Sequence, residues 1–324
     1  MVTVTDRPPW TRPRNSSVPE HRLPLPPWIG ENHLPGFGVF WAAFAKEFRP
    51  TLQTQFPMSH SLLQGKRGVI FGALDSQSIA WKVAEKAHEE GARFVLTNAP
   101  VALRMGQIQE LAARCQAPLI GADATVDADL ENLFTQAVQE LGGPLDFVLH
   151  SIGMSPNVRK GKTYTDLNYD FYHKTLDISA MSFHRTMRAA VATNALNRGA
   201  SILALSYIAA QRVFPDYNDM ADAKALLESI ARSFGYHLGK SHGVRVNTVS
   251  QSPTRTTAGS GVKGFDGFLD YAERMSPLGN ASAESCADYC VVMFSDLTRM
   301  VTMQNLFHDG GFSFTGVSQE VLGL

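Results

Sequence analysis

The chain has 324 residues, 44% of them apolar, and its 29 basic and 30 acidic side chains give a formal net charge of −1. That length is enough for one large α/β domain, and the balanced charge provides no electrostatic footprint for nucleic acid or an anionic membrane surface. No run of about 18 apolar residues offers a membrane span, and the N-terminus lacks the charged start and apolar core of a secretory signal.

Residues 1–57 differ in kind from the rest, holding ten of the seventeen prolines and three of the four tryptophans (Trp10, Trp28, Trp41). Such a stretch builds no regular core of its own. The sequence VFWAAFAKEF from Val39 to Phe48 suits a short amphipathic helix, whereas MSHSLLQGKRGVIFG from Met58 reads as a protein start just before a first strand. The expectation is an irregular or disordered Pro-rich extension over 1–57 and one dinucleotide-binding domain over 58–324.

From Arg67 onward strand and helix signals alternate. RGVIFG (67–72) is a β-rich run; Ser78 is placed to N-cap the helix IAWKVAEKAHEE, which stops at Gly91. Arg93 to Asn98 predicts a second strand, Leu103 to Cys115 a helix, Pro118 to Ala122 a third strand, Leu130 to Leu141 a helix, and Asp146 to Ser151 a fourth strand. A long helix follows over 177–194, then a fifth strand over Ser201 to Ser206 and a helix carrying Tyr217 and Lys224 that runs to Gly239. Val244 to Val249 is a sixth strand, 250–264 is irregular, short helices come next, and a last strand near Gln304 to His308 leads into Asp309-Gly310-Gly311. This alternation predicts a doubly wound parallel sheet of the Rossmann type with both faces covered, whose ligands bind beyond the C-terminal strand ends.

Cys115, Cys286 and Cys290, odd in number and widely placed, form no disulfide framework and point to a reducing cytoplasm. Cys286 and Cys290 stand i, i+4 with no third ligand nearby, the pattern of buried structural thiols.

The first turn, GALDSQSIA, holds Gly72 but no G-x-G-x-x-G, so by itself it fits an unliganded strand-turn-helix as well as a pyrophosphate site. Two further strand ends add weight. Asp123, followed by Ala124, is placed to accept a hydrogen bond from an adenine amino group, and Ser151-Ile152-Gly153 brings backbone close to a ribose. Thr97-Asn98-Ala99-Pro100 carries no acid for a ribose 2′-hydroxyl and no adjacent arginine for a 2′-phosphate, Arg104 being the nearest cation, so these residues leave the choice of NADH or NADPH open.

Ser201 to Lys224 reads SILALSYIAAQRVFPDYNDMADAK. Tyr207 follows the fifth strand, Tyr217 opens a helix, and Lys224 lies seven residues on, almost two turns away on the same helix face. A nearby ammonium favours the ionised phenol and lowers its pKa, which suits proton donation or oxyanion stabilisation.

From about Leu62 to Ser313 the chain resembles the bacterial enoyl-acyl-carrier-protein reductases of the short-chain dehydrogenase/reductase superfamily, particularly a divergent branch seen in Bacteroidetes. The segments carrying the likeness are GALDSQSIAWKVA, DFVLHSIGMSPNVRKG, LDISAMSFH, LSYIAAQRVFPDYNDMADAKALLES, SQSPTRTTAGSGVKGF and SDLTRMVTMQNLFHDGGFS. The superfamily usually spaces tyrosine and lysine by four; here Ala221 occupies that position, and lysine at the seventh is the spacing of enoyl reductases rather than ketone reductases.

The resemblance implies that Tyr217 hydrogen-bonds a thioester carbonyl and stabilises the enolate, Lys224 binds nicotinamide ribose hydroxyls, and Tyr207 is the second active-site tyrosine. It places Ser78, Ile79, Ser252, Pro253, Thr254 and Thr256 on the cofactor, and Met220 and Phe265 on an acyl channel or in ordinary core contacts. It makes 257–275 a mobile substrate lid with Gly259 and Gly261 supplying flexibility, and the partners an acyl-carrier protein and three further copies of the chain in a homotetramer. Met303 stands where many relatives have glycine. Other enoyl thioesters, or a silent NAD(P)-binding sensor, are the alternatives; a sensor would be expected to lose the tyrosine or the lysine.

Overall fold

The computed structural model describes residues 60–105, 107–257, 259 and 264–324. The Pro-rich segment 1–57, the candidate helix within it, Met58 and Gly261 lie outside those residues.

Seven parallel strands run in the order β3-β2-β1-β4-β5-β6-β7. They are β1 (Arg67–Phe71), β2 (Arg93–Asn98), β3 (Leu119–Gly121), β4 (Leu145–His150), β5 (Leu196–Ser206), β6 (Arg245–Gln251) and β7 (Asn305–His308). Because strand side chains alternate in direction, Val69, Phe71, Val95, Val148, Ile202 and Ala204 enter one buried layer. Ile70, Phe94, Leu96, Phe147, Leu149, Leu203 and Leu205 enter the other. Each fully buried Val, Leu, Ile or Phe side chain among them contributes roughly 1.5–3 kcal/mol.

The first layer is closed by α4 (Asp127–Leu141), α7 (Ser182–Ala192) and α8 (Asn218–His242), through Leu133, Phe134, Phe183, Met187, Leu227 and Ile230. The second is closed by α1 (Ile79–Glu89), α3 (Ile108–Arg114) and α10 (Ala283–Phe294), through Trp81, Val83, Leu111, Cys290 and Phe294. Cys115, Cys286 and Cys290 are buried free thiols. Between and beyond these lie α2 (Pro100–Met105), α5 (Pro156–Arg159), α6 (Tyr169–Leu176), α9 (Phe265–Met275) and α11 (Gln319–Leu322).

Several expected elements differ in detail. The helix expected over 103–115 is two, α2 and α3, parted after Met105. The long helix expected over 177–194 begins earlier, as α6, and passes through one π-helical turn, Asp177–Met181, before α7. Such a turn widens the hydrogen-bond ladder and recurs at functional sites; here Ser179 Oγ accepts from the Met154 N–H (3.0 Å) and donates to the Met154 carbonyl (3.1 Å), fixing the chain just past Gly153. Ser78 occupies the N-cap position of α1, but its hydroxyl does not cap the helix. It accepts instead from the N–H groups of Leu74 and Asp75 and donates to the Asp75 carbonyl, so it ties the first turn to itself.

The strand order reverses between β1 and β4, and the crevice at that switch point, beyond the carboxyl ends, is where doubly wound sheets bind ligands. Gly72 makes the close approach possible. Its φ is +92°, and a Cβ there would lie 1.9 Å from the Ser151 carbonyl oxygen. Met303 adopts φ +63°, the left-handed region that favours glycine. Its side chain covers Gly235 of α8, where an added Cβ would meet Met303 Cγ at 2.6 Å.

Candidate active site

One cavity of about 1640 Å³ opens beyond the strand ends and collects the candidate catalytic, cofactor-binding and acyl-channel residues that the sequence singles out. Gly72, Ser78, Ile79, Asp123, Ala124, Ser151, Ile152 and Gly153 line one end. Tyr207, Tyr217, Met220, Lys224, Ser252, Pro253, Thr254, Thr256 and Phe265 line the remainder. That volume exceeds the roughly 300–1,000 Å³ of an ordinary small-molecule pocket, leaving room for a dinucleotide and an acyl thioester side by side.

Tyr207 follows the last residue of β5 and is buried among Phe214, Tyr217, Phe268 and Phe312. Its ring centroid is 5.1 Å from that of Tyr217 and 5.4 Å from that of Phe214. The Tyr207 hydroxyl is buried and has no hydrogen-bond partner, although the residue lines the cavity. Desolvation, then the neighbouring Tyr217 and Asp309, push its pKa far up, so it remains a neutral donor.

Tyr217 does not lie within a helix. It occupies the N-cap position of α8, and the next residue, Asn218, has φ +43°. The common face expected for Tyr217 and Lys224 is therefore set by this kinked entry rather than by two regular turns. Three observations hold the entry. The Asn218 amide donates to the Lys162 carbonyl. Asp219, fully buried, accepts from Ser155 Oγ (2.6 Å), Asn157 Nδ2 (2.8 Å) and Thr175 Oγ1 (2.8 Å). Asp222, one turn further, accepts from the hydroxyls of Tyr164 and Tyr172.

The expected fall in the phenol pKa is overturned: desolvation pushes Tyr217 up. The reason is geometric. The Lys224 ammonium is drawn to backbone, donating to the Leu205 carbonyl at 2.7 Å. Lys224 is buried, and desolvation lowers its pKa to about 8 against the partial opposition of Glu228. Behind it, His150 Nε2 pairs with Ser182 Oγ at 2.8 Å; the Ser182 hydroxyl donates to Ile178, so Nε2 carries the proton and the ring is neutral. Burial, then the Lys224 charge, take the His150 pKa down to about 3.

A dinucleotide fits these residues. A Cβ on Gly153 would stand 2.7 Å from Met220 Cε and 3.7 Å from Lys224 Nζ, so the space beside the ammonium exists because residue 153 has no side chain. Asp123 uses Oδ1 for Thr125 N–H and Oγ1, leaving Oδ2 for another donor. Thr254 Oγ1 donates to the Ser252 carbonyl and accepts from Gln251, Thr256 Oγ1 accepts from Gly259 N–H, and Thr257 Oγ1 donates to Asp75, which joins this loop to the first turn. At the end of β2, Asn98 is spent on the Ala73 carbonyl and the Ala99 N–H. Arg104 is not among the lining residues.

Sequence reasoning missed several lining residues. Phe268 and Tyr271 follow Phe265 at i+3 and i+6, a helical spacing that would have revealed them, and Phe214 meets Phe268 edge-on at 4.8 Å. Arg159, Lys174, Asp177 and Ile178 also border the cavity; Arg159, Asp177 and Ile178 fall in segments that carry the family likeness, while nothing local marks Lys174.

A doubly wound parallel sheet with a tyrosine and a buried lysine beyond its fifth strand defines a short-chain dehydrogenase/reductase. A family model described as enoyl-(acyl carrier protein) reductase matches residues 72–313. The NADH enoyl-[acyl-carrier-protein] reductase 1 of Rhizobium meliloti (strain 1021) is 37% identical over 258 residues, covering 79% of this chain and 93% of that protein. The crystal structure of a FabI–NADH complex from Alistipes finegoldii superposes with a TM-score of 0.79 at 63% identity, covering 80% of this chain and 92% of that one. The enoyl-acyl carrier protein reductase of Bacillus cereus, solved with NADP+ and indole naphthyridinone, gives a TM-score of 0.74 at 33% identity, covering 79% and 99%. The chain belongs to the enoyl-acyl-carrier-protein reductase family.

Proposed function

We propose that the chain reduces trans-2-enoyl-acyl-carrier protein to the saturated acyl thioester in fatty-acid synthesis, using NADH. The observation that carries this reading is the joining of two neutral phenols and a buried ammonium in one cavity large enough for cofactor and substrate together. Bound reduced nicotinamide supplies a hydride to the β-carbon of the enoyl thioester.

As that hydride arrives, negative charge develops on the thioester oxygen. Tyr217, kept protonated by its apolar surroundings, donates a hydrogen bond to that oxygen and stabilises the enolate more than the ground state. The unpartnered Tyr207 hydroxyl is a second donor in the same wall. Lys224, anchored on Leu205, directs its remaining protons to the ribose hydroxyls and holds the cofactor. Gly72, Ser78 and Ile79 receive the pyrophosphate, Asp123 and Ala124 the adenine, and Ser151, Ile152 and Gly153 the nicotinamide ribose. Pro253, Thr254 and Thr256 meet the carboxamide and phosphates, while Met220 and Phe265 line the acyl channel. Residues 257–275 act as the substrate lid.

The same reading makes the protein a cytoplasmic homotetramer that uses acyl-carrier protein and no nucleic acid. Its thiols are free, no helix among the described residues is long and apolar enough to cross a membrane, and Leu278, Met300 and Phe314 expose 89%, 89% and 81% of their surface, apolar area that further copies would cover.

Oxidation of NADH and of NADPH is to be followed with crotonyl and longer enoyl thioesters, using the full chain and a chain starting at Met58. Turnover that falls on the order of a hundredfold in Tyr217→Phe or Lys224→Ala supports the assignment. Tight dinucleotide binding with no oxidation on any enoyl thioester refutes it.

A further inference from the structure

Glu228 is a charged side chain the chemistry above does not use. It lies on α8 one turn beyond Lys224 and is 4% exposed, yet no cation lies within ion-pair distance of it among the described residues. A carboxylate buried without an ion pair is costly and persists only where its oxygens are satisfied. Both are. Ser206 Oγ donates to Oε1 at 2.7 Å, and Gln211 Nε2 donates to Oε2 at 3.1 Å.

The identity of the two donors is informative. Ser206 is the last residue of β5 and immediately precedes Tyr207; Gln211 closes the 3-10 turn Ile208–Ala210 that immediately follows it. The carboxylate thus grips both ends of the short segment from which the Tyr207 ring projects. The preceding turn on the same face of the helix supplies Lys224, whose ammonium reaches back to Leu205, one residue before Ser206. Strand end, tyrosine turn and helix are closed into one frame through three hydrogen bonds.

We propose that Glu228 is a positioning residue for the reduction, fixing the turn that carries Tyr207 to the helix that carries Lys224. The inference rests on the reading of the site as an enoyl thioester reductase. Glu228 acts through Ser206 and Gln211 and does not reach the reacting atoms. Loss of its two bonds frees the Tyr207 turn while leaving Lys224 on Leu205, so the step in which Tyr207 faces the thioester oxygen suffers more than dinucleotide binding.

The test compares Glu228→Ala, Glu228→Gln, Ser206→Ala and the Glu228→Ala/Ser206→Ala pair in the full chain. Turnover is scored per folded active site, with NADH affinity read separately by calorimetry. Wild-type turnover decides the underlying function; the ratios among variants decide the inference. Expected for Glu228→Ala is a fall in kcat on the order of ten- to a hundredfold, the scale of a displaced reacting group, with a much smaller change in NADH affinity. Glu228→Gln, which keeps an acceptor for Ser206, recovers most of that loss, and adding Ser206→Ala to Glu228→Ala costs little more. If Glu228→Ala does not fold, Glu228→Gln and Ser206→Ala carry the comparison, Ser206→Ala alone showing the fall in kcat. Folded Glu228→Ala and Ser206→Ala enzymes with wild-type kcat would assign Glu228 to fold stability alone and overturn the proposal, as would additive losses in the pair.

Discussion

Replacing Tyr207 by Phe should move stability and turnover in opposite directions. The hydroxyl is buried with no partner, so the folded protein bears its desolvation without a compensating bond. Leaving such a group unsatisfied costs about 1–3 kcal/mol. The phenyl ring that remains keeps its packing against Phe214, Tyr217 and Phe268, whose centroids lie 5.4, 5.1 and 6.3 Å away, so no cavity opens. The free variant should therefore be more stable by about 1–3 kcal/mol, and its melting point should rise by roughly 2–4 °C for each kcal/mol. In turnover, removal of a donor aimed at a developing oxyanion typically costs on the order of 3 kcal/mol, about a hundredfold in kcat. Thermal melts of the ligand-free protein and steady-state rates with an enoyl thioester make the comparison. A variant that melts lower, or that melts higher and turns over at the wild-type rate, refutes the assignment of the Tyr207 hydroxyl to the substrate.

Three other outcomes follow from the same packing. Gly72→Ala should destabilise the fold by more than about 4 kcal/mol, because its φ of +92° and a Cβ 1.9 Å from a backbone oxygen leave no side chain able to yield; Gly153→Ala, which meets only the flexible end of Met220, should cost less than about 1.5 kcal/mol in urea titrations. Lys224 is held at about 8, below its ordinary 10.5, so the folded state binds fewer protons than the unfolded one between those values and its contribution to stability rises with pH there. Lys224→Met should exceed the wild type in urea midpoint at neutral pH, with the gap closing toward pH 10; a pH-independent gap contradicts the burial argument. Gly235→Ala should gain up to about 1 kcal/mol of helix propensity only when Met303→Gly removes the side chain 2.6 Å from the new Cβ. A double-mutant cycle should show coupling of about 0.5–3 kcal/mol, and additive effects would contradict the contact.

Strand positions were legible because buried parallel strands are short apolar runs bounded by turn residues, and β2 occupies the very residues, Arg93–Asn98, that the pattern marks. Boundaries set by long-range packing were not. The break between α2 and α3, and the π-helical turn that lets Ser179 hold Met154, leave no periodic trace in the amino-acid order.

For the site, residue types and spacings, read together with the family resemblance, marked which side chains belong together: Tyr207, Tyr217 and Lys224, with Gly72, Asp123 and Ser151 to Gly153, all border one cavity. Their protonation states were decided only by tertiary structure, since a pKa depends on what surrounds a group and not on its neighbours in sequence. The ammonium expected to acidify Tyr217 is turned onto the Leu205 carbonyl, and burial raises the phenol instead. Likewise nothing in the sequence marks Asp219 and Glu228 as buried carboxylates. Folding brings Ser155, Asn157 and Thr175 to the first and Ser206 and Gln211 to the second, contacts between residues 17 to 64 positions apart that no local pattern encodes.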